Sequence, residues 1–214
     1  MSRLPSWAGQ HVAAIRALIV LTVITGAIYP LVVFGIAQAA FNHQANGSTV
    51  SYHGKVAGSS LLCQQFVDPK GNPLPQYFQV RPSNASDPAA KPSTAEAAGC
   101  DPLFSGASNL GPNNPKLVTN VSTNRTAVAE LNGVGPDPVP PDAVTSSGSG
   151  LDPDVSPQYA YLQVNRVATA RHLDPAKVRA LVTSHIQGRT LGFLGEPRVN
   201  VLQLNLALDQ GRAG

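Results

Sequence analysis

The sequence predicts an α/β protein, with one N-terminal transmembrane helix followed by a compact mixed α/β extracytoplasmic domain. Three observations carry that expectation. A run without a charged side chain, ALIVLTVITGAIYPLVVFGIAQAAF, extends from Ala17 to Phe41. Two stretches near the C-terminus place apolar residues at helical spacing behind good N-cap residues. A third, VNVLQLNLAL over 199–208, sets Leu202, Leu204, Leu206 and Leu208 against Gln203 and Asn205, the alternation of a half-buried strand.

The division that follows is a short cytoplasmic N-terminus over 1–16, a transmembrane helix over 17–41 and a soluble domain over 42–214. The core of the apolar run, Ala17 to Ala37, spans 21 residues. As a helix it is ~31 Å long, close to the hydrocarbon thickness of a bilayer. A cleaved signal peptide is the first rival, because Ala37-Gln38-Ala39 has the small-x-small form, but its apolar region should be only ~7–15 residues. A buried core helix is the second, although such helices are rarely apolar all round over this length. Arg3 and Arg16 precede the run and the first cation after it is Lys55, so the positive-inside bias puts the domain outside the cytoplasm. Within the span, Thr22, Thr25, Gly26, Tyr29 and Pro30 form a candidate interface. Gly26 would let a partner helix approach while Thr22 and Thr25 bond across to it, or Gly26 would merely accommodate a kink at Pro30.

The outer domain is nearly neutral once Arg3 and Arg16 are set aside. Nucleic acid is excluded as a partner, since no basic face is available to displace counterions. Only 13% of the chain is charged, and it holds 19 glycines and 19 prolines, so rigid turns are expected to shape much of it. Tyr77 to Val80 reads as a short strand. Residues 84–115 read as a long ordered loop, and a helix of about three turns is expected around Asn124, Ala127, Val128 and Leu131. Ser156-Pro157 and Asp174-Pro175 each supply an N-cap followed by proline at the first helical position. Ala160, Gln163, Val164, Val167 and Ala168 form the apolar face of the first helix. Val178, Leu181, Val182 and His185 form that of the second, which Gly188 is expected to end. Cys63 and Cys100 both fall in the outer part, where an oxidising compartment would let them pair; two buried free thiols are the alternative.

Catalytic motifs are missing from this chain. There is no GxxxxGK[ST] loop, no GxSxG elbow, no HExxH and no TVGYG-like filter. His53, His172 and His185 are not at metal-ligand spacing, and His185 reads as a hydrogen-bonded histidine on an apolar stripe. Asp152 and Asp154 straddle a proline ahead of a helix, which suits dipole pairing better than acid/base work. The stretch SGASNLGPNNP over 105–115 poses a choice between a phosphate cradle and a rigid docking loop, with Ser108, Asn109, Gly111 and Asn113 as the candidate contacts. No Walker-type lysine accompanies its glycines, which favours docking.

Several stretches together resemble one family: RTLGFLGEPRVNVLQLNLALD (189–209), SGSGLDPDVSP (147–157), SGASNLGPNNP, TGAIYPL (25–31), QANGS (44–48), GSSLLCQQF (58–66), YFQVRPS (77–83) and VNRVATAR (164–171). The chain is similar to the C chain of the bacterial Kdp potassium-transporting ATPase over nearly its whole length. The resemblance implies a non-catalytic accessory subunit in the cell membrane, partnered by a potassium-channel-like subunit and a P-type ATPase subunit. It further implies a catalytic chaperone that raises the ATPase subunit's affinity for ATP. No firmly bound cofactor is expected, ATP enters only through the resemblance, and no metal site is expected. The chain lacks the DKTGT phosphorylation motif, so it is not the ATPase subunit itself. It departs from the family at Cys63, where a glycine usually follows the LL pair, and the stretch around Cys100 resembles an insertion. That both departures are cysteines favours a Cys63–Cys100 bridge. A membrane-anchored extracytoplasmic solute-binding protein is the alternative function. A surface hydrolase using His185 or the Asp152/Asp154 pair is a third.

Overall fold

The computed structural model describes residues 5–90 and 98–211. Arg3, used above for orientation, and 91–97 of the long loop lie outside the described residues. The chain forms two compact units, the first running to Ser48 and the second starting at Thr49.

The first unit is essentially one helix. α1 covers Ser6–Val23 and α2 covers Tyr29–Ala40, joined without a break by a π-helical turn at Ile24–Ile28. Pro30 explains that turn. Its ring has no N–H to give and collides with the carbonyl four residues back, that of Gly26, so the ladder widens locally to accommodate it. The Tyr29 N–H accordingly reaches Ile24 O, five residues back. Trp7–Ala40 makes a 34-residue helix, long and apolar enough to cross a membrane, with none of its apolar window buried. A short helix, α3, follows at Asn42–Ala45.

In the second unit, β1 (Thr49–Tyr52) and β2 (Lys55–Ser59) pair antiparallel around His53-Gly54. Both turn residues have positive φ, 48° and 76°, the requirement of a tight two-residue hairpin. α4 runs over Pro115–Asn132, longer than the three turns expected around Asn124. Its start lies in the stretch read as loop, where Asn114 caps the N–H of Lys116 and Pro115 takes the first helical position. Gly133, at φ 62°, closes it. β3 is Asp154–Val155, α5 is Pro157–Arg171 and α6 is Pro175–Ser184. Ser156 and Asp174 cap the two helices as the sequence predicts. α6 ends at Ser184 rather than Gly188, because β4 (Ile186–Gln187) leaves at once to pair with β5 (Arg198–Asn200). β5 sits between β3 and β4 in an antiparallel three-stranded sheet.

Two expected strands are not strands. Residues 201–209 form a helix, α7 (Val201–Asp209), capped by Asn200, which accepts the N–H of Gln203 at 3.1 Å. The alternation in VNVLQLNLAL implies a strand only if one face meets water. Here Val201, Leu202 and 204–208 are all buried, so the helix is enclosed on nearly every side and Asn205 is buried along with the leucines. Leucine also favours helix over strand more than the β-branched residues do. Tyr77 to Val80, in turn, has no strand partner among the described residues. The carboxamide of Asn205 accepts the Phe78 N–H and donates to the Phe78 carbonyl, both at 2.9 Å. Gln163 does the same for Gln79, at 2.7 and 3.1 Å. Two side-chain amides thus take the place of a neighbouring strand. The core closes around this segment, with Phe78, Val167, Val178, Val182, Val199 and Leu204 fully buried.

Candidate functional site

Four of the stretches quoted from the sequence, 58–66, 77–83, 105–115 and 147–157, meet at one hub in the second unit. Ser83 donates to Gly150 O at 2.6 Å and accepts from the backbone N–H groups of Ala85 and Cys100 at 3.0 and 2.9 Å. The N–H of Gly106 and the hydroxyl of Ser105 both bond Ser149 O, at 2.8 and 3.0 Å. Cys63 N–H bonds Leu151 O at 3.0 Å, and Cys63 is joined to Cys100 by a disulfide with the Cα atoms 5.5 Å apart. Gly150 is the residue the crowding demands. A Cβ there would lie 2.6 Å from Gly106 O and 2.7 Å from Ala85 N, and its φ is 72°.

Beside the hub is a cleft of about 300 Å³ lined by hydroxyls and amides, among them Ser83, Asn84, Ser108, Asn120, Asn124 and Ser146. Ser108 is therefore at the cleft, whereas Asn109, Gly111 and Asn113 are exposed on the loop beyond it. Among the described residues, no charged side chain lines this cleft. The Gly106 N–H, the natural phosphate donor of a cradle, already holds Ser149 O. The chemistry is that of a rigid polar surface.

Charge gathers on another face. Arg81 pairs with Asp152 at 2.8 Å and Arg198 with Asp154 at 3.0 Å. The two aspartates therefore face arginines rather than the α5 dipole expected from their spacing. Burial pushes the Asp154 carboxyl above its ordinary range, with Arg198 opposing and Asp152 adding to the shift. Asp142 orients the α5 cap, accepting from Ser156 N and Oγ at 2.6 and 2.9 Å. His185 sits just past α6 with Nδ1 2.8 Å from Leu181 O. It is only half-buried and remote in role from either aspartate, which it does not contact by hydrogen bond.

The segment feeding the hub is clamped by two arginines that the sequence reading did not single out. Arg166 donates to the carbonyls of Pro75 and Tyr77 at 2.6 and 2.9 Å, to Gln163 at 2.7 Å and to Asn132 at 2.9 Å. Burial lowers its pKa to about 10. Arg171 donates to Gln76 O at 2.6 Å, pairs with Asp209 at 2.7 Å and lies over the Tyr77 ring. Both lie in VNRVATAR (164–171), but nothing local shows that they turn toward the 75–77 segment.

In the first unit, Thr25 donates to Leu21 O at 2.8 Å, so its hydroxyl proton is engaged within its own helix. A Cβ on Gly26 would meet only Thr22 Cγ2, at 4.0 Å. Tyr29 is exposed on the same helix.

A family model described as K+-transporting ATPase, c chain, matches residues 11–210, taking in both the helix and the domain. The chain belongs to the KdpC family. Among relatives named potassium-transporting ATPase KdpC subunit, that of Sorangium cellulosum is 51% identical over 93% of this chain and 96% of its own. The Streptomyces avermitilis protein is 47% identical over 95% of this chain and 92% of its own. That of Paraburkholderia phytofirmans is 49% identical over 91% and 93%. KdpC membership thus spans both units, from α1 to α7.

Proposed function

We propose that this chain is the non-catalytic accessory subunit of an ATP-driven potassium uptake complex, holding a channel-like subunit and a P-type ATPase subunit together. The observation that carries the proposal is the family match over 11–210, which covers anchor and domain alike. The hub supports it, because its hydroxyls and backbone groups bond one another and leave a stiff surface suited to docking. The domain lies on the extracytoplasmic side. A disulfide persists in an oxidising compartment, and Arg16 precedes the apolar run while the next cation is Lys55. By family resemblance the subunit also raises the ATPase subunit's affinity for ATP. From the outer side that effect passes through the partner subunits and the membrane helix, not through contact with the nucleotide.

The test has two arms. A reporter fused at the C-terminus, active only outside the cytoplasm, should score positive in intact cells; activity only of a cytoplasmic reporter would reverse the topology. A tagged chain extracted in mild detergent should bring down two larger hydrophobic polypeptides. Recovery of the chain by itself from membranes where the whole complex is expressed would sink the accessory role.

A further inference from the structure

A second cavity in the outer domain, of about 460 Å³, opens between α4, the start of α5 and the extended segment that leads into the hub. Its walls are largely apolar, with Val80, Pro82, Ala127, Val128, Leu131 and Ala143 among them. Two polar side chains that the fold otherwise buries also line it: Tyr159 is 2% exposed and Gln79 6%. The Gln79 Nε2 donates to the carbonyls of Phe66, Leu74 and Tyr77 at 3.0, 3.1 and 3.3 Å. Among the described residues, nothing donates to the Gln79 Oε1, and the Tyr159 hydroxyl makes no hydrogen bond. No fully sealed side-chain oxygen or nitrogen there lacks a partner, so both oxygens are reached from the space they line. Burial pushes the Tyr159 phenol up to about 12, with Arg166 opposing and Asp142 adding to the shift, so it stays a neutral donor.

We propose that this cavity binds a small neutral amphiphile with a primary carboxamide head, the Tyr159 hydroxyl donating to its carbonyl and the Gln79 Oε1 accepting from its NH₂. Apolar walls with a few convergent polar groups are the usual form of a ligand site, and buried groups without partners gain most from the ligand that pairs them. A carboxamide offers an acceptor and a donor on separate atoms, one for each oxygen. Charged heads fit poorly. Arg81 borders the cavity, but Asp152 and Thr145 already hold its guanidinium, so a carboxylate finds no free counter-charge and meets the Gln79 Oε1 instead. An ammonium would leave its charge among apolar walls, because Glu130, the carboxylate bordering the cavity, is exposed to water. The site lies wholly within the second unit and does not depend on the accessory-subunit reading.

The experiment irradiates the full chain in lipid nanodiscs with hexanamide carrying a diazirine at its fifth carbon, and locates the label by peptide mass spectrometry. Label should appear on peptides covering 79–83 or 124–131, and excess unlabelled hexanamide should remove it. The matching hexanoate probe should label those peptides about tenfold less. Tyr159→Phe keeps the ring and removes only the hydroxyl. That hydroxyl has no partner to lose, so the melting temperature should not fall, while the half-saturating concentration of hexanamide rises about tenfold. Ala127→Phe narrows the mouth from the exposed surface of α4 and should abolish the label without unfolding the domain. Label confined to the membrane helix, equal labelling by hexanoate, or undiminished labelling in either variant would overturn the proposal, leaving the two oxygens to water alone.

Discussion

The carboxamide of Asn205 holds both backbone polar groups of Phe78, accepting one hydrogen bond and donating another at 2.9 Å each. Both residues are fully buried, and 127 positions separate them. α7 is thereby tied to the chain segment that enters the hub, and Gln163 on α5 repeats the bond at the next residue.

Asn205→Ala strands a buried N–H and a buried C=O, each costing about 1–3 kcal/mol. A loss of ~2–5 kcal/mol is expected in urea unfolding of the protein. Asn205→Asp should be no better, because a carboxylate accepts the N–H but faces the Phe78 carbonyl with no donor. A loss below about 1 kcal/mol for either variant would show that the amide is not what secures this segment.

That pairing also explains what the sequence could and could not reveal. The anchor was readable because a lipid-spanning helix needs nothing beyond its own composition. α5 and α6 were readable because Ser156, Asp174 and the prolines after them are local signals. α7 was misread because periodicity cannot tell a strand with one wet face from a helix buried on every side, and that distinction lies in tertiary packing. The segment 77–80 resembles a strand in sequence and serves as one, but its partners are side chains from α5 and α7, invisible until the fold is known. Of the docking-loop candidates, Ser108 reaches the polar cleft, whereas Ser83 and Gly150 at the hub emerge only when distant loops meet. Gly150 carried a hint in its Ser-Gly-Ser-Gly context, yet nothing local reveals that Gly106 and Ala85 press against it.

Gly150→Ala tests the crowding at the hub. The added methyl would sit 2.6 Å from Gly106 O, on a backbone at φ 72° that disfavours any Cβ. Both neighbours are backbone, so neither can swing aside. A loss of at least ~2 kcal/mol is expected in thermal or urea unfolding, against roughly 1 kcal/mol for removing the Ser83 hydroxyl in Ser83→Ala. Equal stability of Gly150→Ala and the parent would mean the loops are not packed as described.

The Cys63–Cys100 bridge closes a loop across 37 positions, and the chain-entropy argument values such a closure at ~4 kcal/mol. Cys63→Ser/Cys100→Ser, or reduction of the parent, should lower the urea midpoint correspondingly. The reduced parent and the double variant should coincide. If reduction leaves the midpoint unchanged, the hydrogen bonds around Ser83 hold the hub without the bridge.

Asp154 provides a test by pH. Burial, the largest cause, raises its folded-state pKa above the unfolded value, so the native state binds the proton more tightly. Its contribution is therefore most favourable below the ordinary carboxylate range and is lost as pH rises through the raised value. Asp154→Asn removes that dependence. From about pH 3 to 7, the stability of the parent relative to Asp154→Asn should fall as pH rises. A difference that rises with pH would show that the Arg198 ion pair outweighs burial.

Gly26 on the membrane helix separates partner contact from helix mechanics. In this chain the added side chain has room, since a Cβ would meet only Thr22 Cγ2 at 4.0 Å. Leucine also favours the helix over glycine by ~0.8 kcal/mol. Gly26→Leu should therefore leave the anchor itself intact, and any fall in complex recovered from mild detergent reports a neighbouring helix that needs the space. A graded loss is expected, with Gly26→Ala intermediate. Thr25→Val should cost less than Gly26→Leu, because the Thr25 hydroxyl proton already bonds Leu21 O within its own helix. If Gly26→Leu yields as much complex as the parent, Gly26 has no docking role, and its place in the π turn reflects only the carbonyl that Pro30 displaces.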